Sequence, residues 1–306
     1  MRPIKIIFMG TPEFAVPSLE ILVNNDVNVV AVITAPDKPQ GRGQKIVHSP
    51  VKACALEHNI PVLQPVNLKS STFLEELKAY NADLQVVVAF RMLPEAVWNM
   101  PPLGTFNLHA SLLPQYRGAA PINWAIINGE TETGVTTFFL RHDIDTGSII
   151  FQEKEPIHKH DNAGTLYERL MSCGAALVLK TVQAIASGEY STTPQPEIGE
   201  IRHAPKIFKE TCEISWNKSS EQVNNFVRGL SPYPGAWTTL AGKIFKVYKT
   251  SIVREVNRAQ NPGEFFTDNK NYLYLKTQDG WISIDELQPE GKKRMTIQEF
   301  FRGNKL

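Results

Sequence analysis

The chain has 306 residues, 42% hydrophobic and 21% charged, with a net charge of +1. These proportions exclude a disordered or fibrous chain, and the length suits two domains better than one. The longest unbroken apolar runs, such as Val86-Val87-Val88-Ala89-Phe90, fall far short of the roughly 20 residues of a membrane helix. In chain order, Ile4 to Met9 reads as a buried first strand ending at Gly10, not as a signal peptide, and Pro17 sits near the start of a short helix through Leu22. Val27 to Thr34 is a second strand. Ser49-Pro50 opens a helix, with Ser as N-cap and Pro at the first helical position. Thr72 with Glu75 matches a capping box ahead of a helix near 73–80. Leu84 to Phe90 reads as a central parallel strand buried on both faces, and Phe106 to His109 ends another. A helix over 121–128 closes at Gly129. Val135 to Leu140 and Ser148 to Gln152 flank Asp143-Ile144-Asp145-Thr146-Gly147 as a hairpin, and a long helix over 165–186 stops at Gly188.

Repeated βα units of this kind predict a doubly wound, mainly parallel, Rossmann-like sheet over residues 1–190. Residues 191–208 are expected as a linker, because Ser191 to Glu200 is poor in large apolar residues and carries two prolines. Beyond it the pattern changes to one helix near 220–229, capped by Ser219 and Gln222, and short strands at 237–240, 244–250, 272–276 and 281–284. Residues 209–306 are therefore expected as a C-terminal OB-like β-barrel. The net charge hides an asymmetry. Residues 206–306 carry 16 Lys and Arg against 11 Asp and Glu, a net +5, whereas the other 205 carry 16 against 20, a net −4. A basic tail domain on an acidic body fits an anionic partner as well as it fits a plain solvated surface.

Three distant cysteines without a CxxC pair argue against a disulfide framework or a structural zinc site, and a reducing cytoplasmic setting is expected. Gly10-Thr11-Pro12-Glu13-Phe14 follows the first strand but is not GxGxxG, so a nicotinamide-cofactor reading loses its main support. The densest polar cluster is Asn107-x-His109 followed by Ser111-Leu112-Leu113-Pro114-Gln115-Tyr116-Arg117-Gly118, at the carboxyl end of a predicted parallel strand, where open α/β sheets place ligands. A spacing of two points Asn107 and His109 to one face of a strand. An amide and an imidazole so placed can hold a carbonyl oxygen that gains negative charge, although the dipeptide by itself reads more readily as a loop histidine and a turn asparagine. Asp145 would orient the imidazole if the fold brings it near; Asp-Thr-Gly is also ordinary turn chemistry. The loop from Pro36 to Ser49 is long for a connection in a compact domain and holds Lys38, Arg42 between two glycines, and Lys45. Lys292-Lys293-Arg294, with Lys243, Lys246 and Lys249, would form a phosphate-tracking surface, but a regular strand puts Lys246 and Lys249 on opposite faces. Trp216 and Trp237 are expected in the core.

Several of these stretches together resemble the methionyl-tRNA formyltransferase family. They are residues 8–17 (FMGTPEFAVP), 36–43 (PDKPQGRG), 107–114 (NLHASLLP), 116–122 (YRGAAPI), 145–147 (DTG), 231–237 (SPYPGAW) and 289–293 (PEGKK). One departure is Phe90-Arg91-Met92, where the family more often has a Tyr-Gly pair before the Leu. The resemblance implies transfer of a formyl group from 10-formyltetrahydrofolate, as co-substrate, to the amino group of methionyl initiator tRNA. It assigns catalysis to Asn107, His109 and Asp145, folate binding to Ser111, Leu112, Leu113 and Pro114, and tRNA contact to Lys38, Arg42, Lys45, Lys292 and Lys293. It implies no metal and no membrane, and a monomer is expected. Two other readings stand beside it: a folate-dependent N-formyltransferase acting on a nucleotide or amino sugar, and an OB-type nucleic-acid-binding protein with a degenerate α/β domain.

Overall fold

Aliphatic and β-branched runs alternate along the chain with segments headed by serine or proline, and the secondary structure follows that alternation. The computed structural model describes residues 4–40, 45–196, 199–254, 256 and 258–306. The elements are β1 (Ile6–Gly10), α1 (Val16–Asn24), β2 (Val29–Ile33), β3 (Lys38–Gln40), β4 (Lys45–Val47), α2 (Pro50–Glu57), β5 (Val62–Leu63), α3 (Ser71–Ala79), β6 (Leu84–Val88), α4 (Glu95–Trp98), β7 (Thr105–His109), β8 (Arg117–Gly118), α5 (Pro121–Ile127), β9 (Glu132–Phe139), β10 (Ile149–Pro156) and α6 (Ala163–Ser187). They continue with β11 (His203–Ala204), α7 (Ser220–Leu230), β12 (Ala236–Leu240), β13 (Lys243–Val253), β14 (Phe265–Thr267), β15 (Leu273–Lys276), β16 (Trp281–Pro289), β17 (Met295–Thr296) and α8 (Ile297–Phe301). The chain divides into two compact units. One comprises residues 1–117, 134–155 and 167–202; the other comprises 118–133, 156–166 and 203–306.

The first unit is built on a seven-stranded sheet in the order β10-β9-β7-β6-β1-β2-β5. From β5 to β7 all pairs are parallel, and β9 runs antiparallel to β7. Every residue of β1 and β6 is buried, as a central parallel strand covered on both faces requires. The register Met9–Val87–Asn107 runs across β1, β6 and β7, so these three residues share a face. On that face Ile7, Met9 and Val87 pack with Phe73 and Leu77 of α3 and Val97 of α4. Leu108 points to the other face, where it abuts Gly174 of α6. α6 is long and apolar enough to cross a membrane by length and composition, and it buries Leu170, Val178 and Val182 within the protein.

The second unit carries a curled antiparallel half-barrel, β12-β13-β16-β15-β14, with β17 paired to β16. The amphipathic α7 lays Val223, Val227 and Leu230 against Phe245, Val247 and Ile284, and α8 closes the cluster with Phe300 and Phe301. Trp216 and Trp237 pack on this core, as expected, each with its indole N–H bonded, to Thr238 Oγ1 and to the Lys209 carbonyl. Helix α5 also belongs to this unit: Asn123 Nδ2 donates to the Gly229 carbonyl of α7 at 2.8 Å.

The caps at Ser49 and at Ser219 with Gln222 form as the sequence predicts. The α3 cap does not. Ser70, not Thr72, accepts from the Phe73 N–H, because the helix already begins at Ser71. The Pro36–Ser49 stretch is not a plain loop, since β3 and β4 pair in it as a two-stranded hairpin. Lys246 and Lys249 also depart from the regular-strand expectation. They pair with Gln288 and Glu286, two apart on β16, because the register shifts on either side of Lys249. The bulge brings both lysines to the outward face.

Candidate active site

β7 supplies Asn107 and His109 on one face, two residues apart. Asn107 is half-buried and His109 is buried. The imidazole is fixed at one end: its Nε2 lies 2.8 Å from the Tyr116 carbonyl oxygen. A carbonyl only accepts, so Nε2 carries the proton and donates, and Nδ1 is the nitrogen left to act elsewhere. Nδ1 lies 3.9 Å from Asp145 Oδ2. That separation is too long for a direct hydrogen bond. It is an ion-pair distance once Nδ1 is also protonated.

Asp145 reaches this position through the β9–β10 hairpin. Phe139 N–H donates to the Ser148 carbonyl to close the loop. Gly147 lies so tightly on the Phe139 carbonyl that an added Cβ would stand 1.6 Å from its oxygen, so a side chain there is excluded. Asp145 itself has φ +56°, a left-handed conformation that Asp tolerates better than most residues. Gln195 grips the loop: its Nε2 donates to the carbonyls of Asp145 (2.7 Å) and Gly147 (2.9 Å), and its Oε1 accepts from the Arg117 guanidinium. Thr193 pairs with Ile149 beside it. The stretch expected as a linker thus supports the candidate site, and its isolated Gln gives no signal of this in the sequence.

Ser111 to Pro114 form a strongly braced turn. Ser111 Oγ donates to the Gln115 carbonyl, and Thr136 Oγ1 donates to the Ser111 carbonyl while accepting from the Leu113 N–H. Gln152 Nε2 donates to the Leu113 carbonyl. Ser111, Leu113 and Pro114 are buried and Leu112 is half-buried. The turn delivers the Tyr116 carbonyl that holds His109, and Tyr116 N–H in turn donates to the Arg202 carbonyl. Thr136 and Gln152 face this turn from two strands, a relation no sequence spacing reveals.

The Phe90-Arg91 departure has a structural role. The Arg91 guanidinium reaches across to the carbonyls of Pro65 and Val66 and ties the β6–α4 loop to the segment after β5. At the foot of the β3–β4 hairpin, Asp37 accepts from Lys52 Nζ and from Gln64 Nε2, with His48 Nδ1 3.1 Å away. These hydrogen bonds, led by that from Lys52, hold the Asp37 carboxyl well below its usual range, at about 2. Lys38 is exposed on the hairpin. Arg42 lies outside the described residues, as does the side chain of Lys45. Lys292 and Lys293 are exposed on the turn after β16, in the other unit.

A cavity of about 620 Å³ is lined by Leu103, Phe139, Arg141, Ser148, Tyr190 and Thr192, beside the stem of the Asp145 loop; neither His109 nor Asp145 lines it. The convergence of titratable groups at His109, not this cavity, makes the candidate site. No group of three metal-ligating side chains occurs among the described residues. Burial pushes the Cys54 thiol up to about 11 and raises Cys173 and Cys212 as well, which keeps all three protonated and poor nucleophiles.

Residues 4–182 match the formyl transferase family and residues 206–305 match the formyl transferase C-terminal domain. The chain belongs to the formyl transferase family. Within it, the chain groups with proteins named methionyl-tRNA formyltransferase: it is 54% identical to that of Bacteroides fragilis over 98% of this chain and 95% of that protein. The relative from Flavobacterium johnsoniae is 52% identical over 99% and 97% of the two chains. Among solved structures, an N-formyltransferase from Helicobacter canadensis in complex with folinic acid and dTDP-3-aminofucose superposes with a TM-score of 0.68. It is 25% identical and covers 94% of this chain and 99% of that one.

Proposed function

We propose that this enzyme transfers the formyl group of 10-formyltetrahydrofolate to the free amino group of methionyl initiator tRNA, giving N-formylmethionyl-tRNA. The observation that carries the chemistry is the placement of His109. One ring nitrogen is committed to the Tyr116 carbonyl and the other is turned toward Asp145, on the strand face that also bears Asn107. An α-amino group with a pKa of roughly 8 is in useful part a neutral nucleophile at pH 7. Its nitrogen attacks the formyl carbon, and the carbonyl oxygen becomes an oxyanion. The Asn107 amide and a protonated His109 Nδ1 donate to that oxygen. The C–N10 bond then breaks, and the proton lost by the amine passes to N10, with Asp145 as the acceptor and donor along the way. The chain's own residues supply polar donors on β7 and a carboxylate from the β9–β10 loop, a set suited to the neutral formyl amide of the donor.

The braced Ser111–Pro114 turn would meet the folate through backbone groups, since its side chains are largely buried. Residues 1–190 would carry catalysis, and the basic region beyond 208 would bind tRNA together with Lys38, Arg42 and Lys45. Relatives of high identity and full length are named for methionyl-tRNA, which supports the tRNA acceptor over an amino sugar. The deciding experiment offers 10-formyltetrahydrofolate with methionyl initiator tRNA or with an amino-sugar nucleotide. Formylated methionyl-tRNA is expected. Turnover of the sugar nucleotide alone would overturn the reading.

A further inference from the structure

Between α7 and β12 the chain turns through Ser231-Pro232-Tyr233-Pro234-Gly235, and the second unit holds this turn from several sides. The Gly164 N–H donates to the Ser231 carbonyl, and Gly164 packs so closely on Pro232 that a Cβ there would come within 2.7 Å of its Cδ. Gly235 N–H donates to the Leu230 carbonyl, and Gly235 lies on the Tyr248 ring. Lys246 Nζ donates to the Pro234 carbonyl at 2.8 Å. Yet Tyr233, at the apex, is 81% exposed. A fixed backbone thus presents an aromatic ring to solvent, with little ordering entropy left to lose on stacking.

The surroundings are basic and aromatic. The bulge in β13 turns Lys246 and Lys249 outward together, beside Gln288 on β16. The Arg294 guanidinium stacks over the Tyr248 ring at 4.7 Å while pairing with Glu286. Gln288 bonds both the Tyr248 hydroxyl and the Lys292 carbonyl, which joins the exposed Lys292–Lys293 turn to the same face. Acidic groups are interspersed, Glu286 and the exposed Glu290 on this face and the exposed Glu213 beside Trp237, which pairs with Lys246, within a region of net +5. An exposed ring among cations on a half-barrel fits single-stranded nucleic acid, for which bases stack on aromatics while lysines follow the backbone.

We propose that Tyr233 is a stacking platform for an unpaired base of the tRNA substrate, with Lys249, Lys292 and Lys293 meeting the adjoining phosphates. This rests on the tRNA reading above. The test uses the full-length protein with Tyr233→Ala, Tyr233→Phe and Tyr233→Trp, and titrates initiator tRNA and a blunt RNA duplex without unpaired bases. Tyr233→Ala is expected to weaken tRNA binding about tenfold or more and leave the duplex unchanged, the scale of one lost base–aromatic stack. Phe and Trp should stay within about threefold of the parent. The salt slope should be preserved in Tyr233→Ala, and reduced by about 1 by each of Lys292→Ala and Lys293→Ala. Parental tRNA affinity in Tyr233→Ala, equal loss on the duplex, or failure of Phe alongside Ala would each overturn the platform. Self-association abolished by Tyr233→Ala would reassign the face to a second copy of the chain and overturn it too. Absence of formylation of methionyl-tRNA by the parent protein would instead overturn the functional reading, and is scored separately.

Discussion

His109 commits one of its two ring nitrogens to the protein. With Nε2–H donated to Tyr116, only Nδ1 remains for substrate or for Asp145, so the ring has one productive orientation. Substituting His109, Asp145 or Asn107 by Ala is expected to lower single-turnover formyl transfer about 10²-fold or more, the usual scale for a lost proton-transfer or oxyanion group. Equilibrium folate binding should survive in all three. A near-parental rate in His109→Ala would remove the imidazole from the reaction. Arg42 belongs to a different question. Initiator and elongator methionyl-tRNA carry the same amino acid, so a methionine pocket cannot separate them. Arg42→Leu is expected to reduce kcat/KM for the initiator strongly and to compress its advantage over the elongator, at nearly constant folate Kd. Uniform loss on both tRNAs would make Arg42 a phosphate anchor only.

Two hairpins show how much the elements, rather than single residues, contribute. The β9–β10 hairpin brings Asp145 to His109 because Gly147 allows its strands to close and Gln195 holds the tip. The β3–β4 hairpin stands on the Asp37–Lys52–Gln64 clamp. Asp37→Asn keeps the shape but loses the charge, and it should raise the KM for tRNA several-fold while folate Kd holds. Its pH dependence follows from the sign of the shift. A carboxyl lowered from 3.8 to about 2 stabilises the folded state fully above its unfolded value and loses that contribution as pH falls through about 2. The gap in thermal midpoint between parent and Asp37→Asn should therefore be constant from about pH 5 to 8 and shrink below about pH 4. A gap that closes near neutral pH would show that His48, not the carboxylate, controls the clamp.

The division of the whole molecule does not follow the chain. Residues 118–133 and 156–166 lie with the C-terminal unit, whereas the 191–202 stretch lies with the first one. A fragment ending near Gly188 would lack Thr193 and Gln195, and would leave α5 without α7, against which it packs. Such a fragment is expected to lose tRNA affinity along with the basic region, and also to lose formyl transfer to any acceptor and to unfold at lower temperature. Retention of the parental rate on methionyl-tRNA would show that neither Gln195 nor the C-terminal unit is needed.

The sequence alone determined what local physics governs. Unbroken aliphatic runs such as Leu84 to Val88 must be buried on both faces, Ser49 and Ser219 cap helices through bonds to residues three away, and the two-residue spacing of Asn107 and His109 puts them on one strand face. The motifs around these residues also marked the family. Only the tertiary structure decided which nitrogen of His109 is available, that Asp145 reaches it across 36 residues of chain, and that Gln195 secures the loop from 50 residues further on. It also decided that a bulge places Lys246 and Lys249 on one face. Each of these depends on strand pairing and register between distant segments, and the energies that fix them are contacts made only after the sheet has formed.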